Sequence, residues 1–223
     1  MDRVVCPVLV GREPEVTELE DALLAANRGD GQIVLLAGEA GVGKSRLAAE
    51  LERRARKVGM ATLSGGCSEA DLALPYLPFL EALGNYLTAA NLEEVRRELG
   101  PLRRELSHLL PQLEPDAPRD TGDAAQAKLR LFEAIIALLR IPAGHSGLLL
   151  VLEDLHWSDA STRELLDYLT RRLRGMRVLR VPTVAQATPR STIRSGLERG
   201  RTAGSVGRPQ DLGGVMPYVL SLR

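Results

Sequence analysis

Two kinds of hydrophobic pattern alternate along the chain, and together they predict an α/β fold. Uninterrupted apolar runs, the mark of strands buried on both faces of a parallel sheet, alternate with segments whose apolar residues recur every three or four positions. The apolar runs predict four strands: 33–37, 61–64, 148–152 and 177–181. The helical spacing predicts helices at 13–27 and 45–57, with a further helix after Ser158-Asp159. Strands that alternate with helices favour a doubly wound parallel sheet flanked by helices.

Two further segments set the predicted domain organisation. From about residue 75 to 140 the apolar spacing is helical, which predicts a helical insertion within a domain of residues 8–181. Beyond residue 181 the spacing is lost, apart from an apolar stretch at 215–222. Residues 182–223 are rich in Gly, Pro and Arg and contain no Lys, so we predict a basic tail of low order.

The formal net charge of zero conceals an uneven distribution of charge. Residues 176–223 carry eight basic and two acidic side chains, which leaves 21 and 27 for residues 1–175. Cys6 and Cys67 form no CxxC motif, and this excludes a disulfide scaffold and a zinc site of ordinary spacing. The N-terminus is not a secretory signal, and the apolar runs fall short of the about 20 residues that span a bilayer. We therefore predict a cytoplasmic protein without a membrane partner.

A glycine-rich segment between the first predicted strand and the next helix carries the clearest chemical signal. It fits the pattern G-x-x-x-x-G-K-[ST] and reads Gly38-Glu39-Ala40-Gly41-Val42-Gly43-Lys44-Ser45. Glycines let backbone N–H groups approach phosphate oxygens without a Cβ in the way, and the helix directs the positive end of its dipole at the same anion. Lys44 is expected to bind the β- and γ-phosphates, and the Ser45 hydroxyl to bind Mg²⁺. The segment, extended by Arg46, predicts a site for ATP and Mg²⁺.

A second motif ends the strand predicted at 148–152 with two carboxylates, Glu153 and Asp154. This is the form of a Walker B element. Glu153 is expected to hold Mg²⁺, through water, and Asp154 to orient or deprotonate the attacking water. Lys44 and Asp154 are thus the candidate catalytic residues, and Ser45 and Glu153 the candidate metal ligands.

Together these motifs resemble a known family. The sequence is similar to the N-terminal AAA+-related, origin-recognition-like ATPase module of STAND signalling ATPases, over about residues 8–180. These include large ATP-binding LuxR-type transcriptional regulators and relatives fused to adenylate cyclase domains. The matching segments are 10–13 (VGRE), 36–47 (LAGEAGVGKSRL), 65–67, 74–76 (LPY) and 152–159 (LEDLHWSD).

The resemblance implies a P-loop NTPase fold and a role as an Mg·ATP-binding switch domain of a signal-responsive regulator, with slow or no hydrolysis. In the family, the segment that corresponds to Val10, Gly11 and Arg12 packs on the adenine, and the loop at His156-Trp157 lies against the nucleotide site. ATP and ADP would be its ligands. DNA would be bound only through a helix-turn-helix that this chain does not contain, and the full-length protein would self-associate.

The sequence departs from the family after about residue 180. The usual sheet order of such ATPases is 5-1-4-3-2, and no fifth strand, sensor residue or helical lid is recognisable. Without a fifth strand, the strand at 33–37 would be an exposed apolar edge. Back-translation from the third base of the Arg180 codon permits Gly-Thr-Tyr-Arg-Ser, which resembles what the family carries there. We hypothesise that residues from about Arg180 onward are translated in a shifted reading frame; the alternative is a genuine disordered tail.

Three other interpretations of the chain remain open at this point. The chain could be a DNA-binding regulator through its basic tail, although it shows no helix-turn-helix pattern. It could be a truncated fragment without function, or the ATPase module of a protein of the adenylate-cyclase type.

Overall fold

The fold is built around a sheet of five parallel strands. The computed structural model describes residues 11–71, 74–115, 123–172, 176–185 and 218–221, the last of these as backbone alone. The strands are β1 (Gln32–Gly38), β2 (Ala61–Gly66), β3 (Leu148–Glu153), β4 (Val178–Ala185) and β5 (Tyr218–Ser221). Their order across the sheet is β2-β3-β4-β1-β5, which is the order that the family resemblance implies for a complete sheet. The α/β fold with a parallel sheet is therefore confirmed.

Seven helices in the described residues cover the two faces of this sheet. They are α1 (Glu13–Asn27), α2 (Lys44–Lys57), α3 (Leu77–Ala89), α4 (Leu92–Leu99), α5 (Arg103–Leu106), α6 (Ala124–Ser146) and α7 (Ala160–Arg172). Helices α1 and α2 pack on one face against Leu149 and Val151, whereas α3 to α7 enclose a larger core on the other face with Leu148 and Leu150. This alternation along β3 follows from the period of two of a strand, since successive side chains point to opposite faces.

The segment predicted to be helical from about residue 75 to 140 contains helices α3 to α6, and the last of these is longer than predicted. Helix α6 continues past the predicted end near residue 140 and through Pro142 to Ser146. Proline usually ends a helix because it lacks an N–H group, so the pattern placed the end of this helix too early. No helix in the described part of the chain is long and apolar enough to cross a membrane.

The expectation of a missing fifth strand is wrong. The backbone of β5 pairs in parallel with β1, with Val34 opposite Tyr218 and Ala37 opposite Ser221. The apolar strand β1 is therefore an inner strand and not an exposed edge. A four-residue strand can pair through its backbone N–H and C=O groups alone, so it needs no long side-chain pattern that a sequence would show.

Strand β4 also extends beyond its predicted end at residue 181. It runs through Pro182, which lies opposite Leu152 of β3, and its last residues Thr183 to Ala185 pair with β1. A proline in an inner strand removes one ladder hydrogen bond, which is why the pattern indicated an end there. Residues 182–185 and 218–221 of the predicted tail are thus strands, and the rest of the tail lies outside the described residues. The proposed domain boundaries and the shifted frame stay predictions.

Candidate nucleotide-binding site

The predicted phosphate-binding segment forms the turn between the end of β1 and the start of α2. Gly41 and Gly43 have φ angles of +81° and +100°, which only glycine adopts without strain. Gly43 is the residue before the first turn of α2, a helix of 14 residues, so the free N–H groups of that turn face the same loop. The loop and the helix end together provide the backbone donors that an anion such as phosphate requires.

Lys44 closes this loop from the inside. Its side chain is buried, and Nζ donates hydrogen bonds to the carbonyl oxygens of Gly38 at 3.0 Å and Glu39 at 2.9 Å. The ammonium group is therefore held by the backbone of the loop and not by a carboxylate that would neutralise it. This arrangement leaves a positive charge at the position where the glycine loop and the helix end also favour an anion.

The two candidate metal ligands lie together, although 108 residues separate them in sequence. The Ser45 hydroxyl donates a hydrogen bond of 2.7 Å to Oε2 of Glu153. Ser45 lies at the start of α2 and Glu153 at the end of β3, so both project from the carboxyl edge of the sheet. Adjacent ligands of an octahedral Mg²⁺ at about 2.1 Å lie about 3 Å apart, so these hard oxygen atoms fit that ion.

Asp154 follows Glu153 in a backbone conformation that is unusual for a non-glycine residue. Its φ of +54° is left-handed, and its N–H donates a hydrogen bond of 2.9 Å to Oγ1 of Thr183. Thr183 is buried near the end of β4. The Asp154 side chain is 44% exposed, so its carboxylate is accessible while its backbone is fixed. Sequence reasoning missed Thr183, because the predicted strand ended at residue 181 and Thr183 follows Pro182, where the apolar spacing is lost.

The segment before α1 reaches the same loop. Nη2 of Arg12 donates to the carbonyl oxygen of Val42 at 3.2 Å, and Nη1 pairs with Glu15 at 2.9 Å. Gly11, with a φ of +71°, gives the turn before Arg12, whereas Val10 lies outside the described residues. Arg12 therefore contacts the phosphate-binding loop, and contact of this segment with an adenine stays a prediction.

His156 and Trp157 lie just beyond the carboxylate pair, in a short 3-10 turn. Their ring centroids are 5.0 Å apart, and the N–H of Ala185 donates to Nδ1 of His156 at 3.4 Å. That contact ties the turn to the end of β4. Nδ1 also lies 3.9 Å from Oδ1 of Asp154, so His156 is at the edge of the candidate site.

Comparison with known proteins identifies the family of the chain. Residues 8–181 match the family described as the AAA ATPase domain. An uncharacterized protein of Rhizobium meliloti (strain 1021) is 31% identical over 199 residues, which cover 78% of this chain and 18% of that protein. The chain thus spans less than a fifth of the length of this curated relative.

Two solved structures align with this chain, and for the first of them the similarity extends to the fold. The Aeropyrum pernix ORC1 protein, in its complex with DNA, has a TM-score of 0.51 at 17% identity, over 98% of this chain and 46% of that chain. The DnaC helicase loader has a TM-score of 0.41 at 16% identity, over 99% of this chain and 95% of that chain. At these identities the ORC1 likeness concerns the fold alone. With the family match over 174 of its 223 residues, the chain belongs to the AAA ATPase domain family.

Proposed function

We propose that this chain is an Mg·ATP-binding switch domain of a signal-responsive transcriptional regulator of the LuxR type, with slow or no hydrolysis. The observation that carries the nucleotide part is the 2.7 Å contact between Ser45 and Glu153 beside the buried ammonium of Lys44. A hydroxyl, a carboxylate and an ammonium that converge on a glycine loop are the groups that a metal-bound triphosphate requires.

Each residue has a distinct part in this proposal. The backbone N–H groups from Gly38 to Gly43 and the Lys44 ammonium bind the phosphates. Ser45 and Glu153 hold the Mg²⁺, which when bound neutralises phosphate charge. Arg12, which lies directly before α1 and contacts the loop at Val42, and Arg46, in the first turn of α2, complete the nucleotide site. Asp154 orients water with its exposed carboxylate.

Binding energy in such a domain is used for a change of conformation and not for product formation. The similarity of VGRE, GEAGVGKSRL and LEDLHWSD to STAND ATPases supports this part of the proposal. These segments are shared with modules linked to adenylate cyclase domains, so the ATPase module of an adenylate-cyclase-type signalling protein is the alternative to a transcriptional regulator. The ORC1 likeness adds no DNA contact to this proposal, because it concerns the fold alone.

The Mg²⁺ requirement of nucleotide binding tests the proposed site. Ser45→Ala and Glu153→Gln each remove one metal ligand, so the gain in ATP affinity that Mg²⁺ provides should fall by about tenfold or more. Calorimetric titration of ATP with and without Mg²⁺ measures that gain. Glu18→Gln, an exposed change on α1, is the control and should leave the gain unaltered. An unaltered gain in both site variants would refute the metal role.

Asp154→Asn separates binding from turnover. Because the Asp154 carboxylate is assigned to water and not to phosphate, the variant should bind ATP as the wild type does and release phosphate more slowly. A steady-state phosphate-release assay measures this. Turnover that is equal in the two proteins would exclude Asp154 from the hydrolytic role.

A further inference from the structure

Tyr76 begins the helical insertion in an unexpected backbone conformation. It lies immediately before α3 with a φ of +63°, in the left-handed region that residues with a Cβ rarely adopt. Its ring is buried and meets Phe132 of α6 edge to face, with ring centroids 6.0 Å apart. A strained residue of this kind persists where its surroundings determine its conformation.

A chain of three hydrogen-bonded residues holds Tyr76 in place. Its N–H donates a buried hydrogen bond of 2.9 Å to Oγ1 of Thr162 on α7, and the Thr162 hydroxyl donates in turn to Oδ2 of Asp159. The other carboxylate oxygen of Asp159 accepts from the N–H groups of Ser161 at 2.7 Å and Thr162 at 3.1 Å. Thr162 is 1% exposed, so its bond with the Tyr76 N–H is shielded from water, while the bonds to Asp159 are partly buried. We refer to these residues as the Tyr76–Thr162–Asp159 chain.

This chain connects two parts of the molecule that the sequence separates. Asp159 caps the start of α7, and Asp154 lies five residues before it, across a single 3-10 turn. Tyr76 lies directly before α3, which is the first helix of the insertion. A shift of the backbone at Asp154 therefore reaches α3 through a short turn and the two hydrogen bonds of the Thr162 hydroxyl, of which the one from Tyr76 is buried.

Helix α3 has a second attachment to the same edge of the sheet. The N–H of Gly66 donates to Oε2 of Glu81 on α3 at 2.9 Å, and Gly66 lies opposite Glu153 in the pairing of β2 with β3. At the neighbouring Gly65, a Cβ atom would lie 2.0 Å from the carbonyl oxygen of Pro78. The backbone of α3 therefore packs directly on the strand beside Glu153, with no side chain between them that could absorb a movement.

We propose that α3 transmits the nucleotide state of the site to the helical insertion through the Tyr76–Thr162–Asp159 chain. Thr162 and Asp159 are positioning residues in this account, because they act through Tyr76 and the turn after Asp154 and do not touch the nucleotide. The inference rests on the proposed binding of Mg·ATP. It adds to that function a route by which binding changes the surface that the insertion presents.

Hydrogen–deuterium exchange of the full chain, with and without Mg·ATP, tests the route. Two sets of peptides are compared: the phosphate-binding loop at 38–47 and α3 at 77–89. In the wild type, Mg·ATP should slow exchange in both sets, in α3 by about fivefold, which is the lower end of usual coupling between two sites.

Substitutions at Thr162 show whether the chain carries the effect. Thr162→Val keeps the shape and removes the hydroxyl, so the loop should still be protected by Mg·ATP while protection of α3 is lost. Thr162→Ser keeps the hydroxyl and should restore protection of α3. Thr170→Val is the matched control, because Thr170 is a buried threonine of the same helix whose hydroxyl bonds within the helix to Leu166. It should respond as the wild type does.

Every other outcome overturns the proposal, and the pattern of protection shows whether the route alone fails or nucleotide binding fails as well. If α3 is protected equally in Thr162→Val and in the wild type, or if wild-type protection stops at the loop, the route is wrong while nucleotide binding stands. If neither the loop nor α3 of the wild type is protected, nucleotide binding itself fails and the route fails with it. If Thr162→Val does not fold, Thr162→Ala takes its place in the comparison of loop and α3 protection. It also removes the hydroxyl, and it leaves room for a water molecule at the Tyr76 N–H.

Discussion

Single side chains at the candidate nucleotide-binding edge of the sheet are held by polar partners. Lys44 bonds to carbonyl oxygens of the loop, Ser45 to Glu153, and the backbone of Asp154 to Thr183. The sequence predicts Lys44, Ser45 and Glu153, because the chemistry of phosphate and Mg²⁺ restricts which residue types can stand in those motifs. It does not predict Thr183, since a hydrogen bond between neighbouring strands depends on register and not on any local motif.

At the residue scale, Asp159 makes stability depend on pH. Burial alone would raise the pKa of Asp159, but hydrogen bonds from Thr162, Ser161 and Tyr76 outweigh it and hold that pKa below its usual value. The stabilisation from its carboxylate is complete above the usual pKa of about 4 and is lost as the pH falls through the lowered value. Asp159→Asn should therefore reduce the fall in unfolding free energy between about pH 5 and pH 3.

Asp167 on α7 provides a control, because its pKa is shifted in the direction opposite to that of Asp159. Burial raises the pKa of Asp167, with Glu164 adding to the rise and Arg171 opposing it. A raised carboxyl pKa means that stability decreases as the pH rises, so Asp167→Asn should make the acid dependence steeper. Urea unfolding at a series of pH values measures both slopes. A slope for Asp159→Asn that equals the wild-type slope would show that the carboxylate does not have the proposed bonds.

At the scale of elements, the apolar pattern locates most of the fold, and its errors have physical causes. Helix α1 has the predicted bounds, and β1 to β3 differ from prediction by one or two residues at an end. The larger errors concern α6 and β4, which continue through Pro142 and Pro182, and β5, which pairs through its backbone. Backbone pairing in a sheet is determined by neighbouring strands, which a local pattern does not contain.

The packing of α3 on β2 predicts opposite effects for two glycine substitutions. Gly65→Ala would place a Cβ 2.0 Å from a backbone carbonyl oxygen, so it should lower the free energy of unfolding by about 1–3 kcal/mol. Gly84 lies within α3 with open space around it, so Gly84→Ala should raise that free energy by about 0.5–1 kcal/mol. Urea unfolding monitored by circular dichroism measures both. Equal effects in the two variants would mean that α3 does not pack on β2 as described.

At the scale of the whole molecule, the match to the AAA ATPase domain ends at residue 181, where the composition also changes. Residues 1–175 have an acidic excess, and Lys44 of the predicted phosphate-binding segment lies within this acidic part of the chain. The shifted reading frame stays a hypothesis. The coding DNA tests it, because the frame that begins at the third base of the Arg180 codon should continue as an open ATPase-like sequence.

The most direct test of the central claim is the affinity of the chain for a fluorescent ATP analogue with Mg²⁺, before and after Lys44→Ala. Losing hydrogen bonds between an ammonium and phosphate should weaken binding by at least about 2 kcal/mol, which is a roughly 30-fold higher Kd. Lys57→Ala, at the exposed opposite end of the same helix, is the control and should stay within about twofold of the wild type. An unchanged affinity in Lys44→Ala would contradict the account.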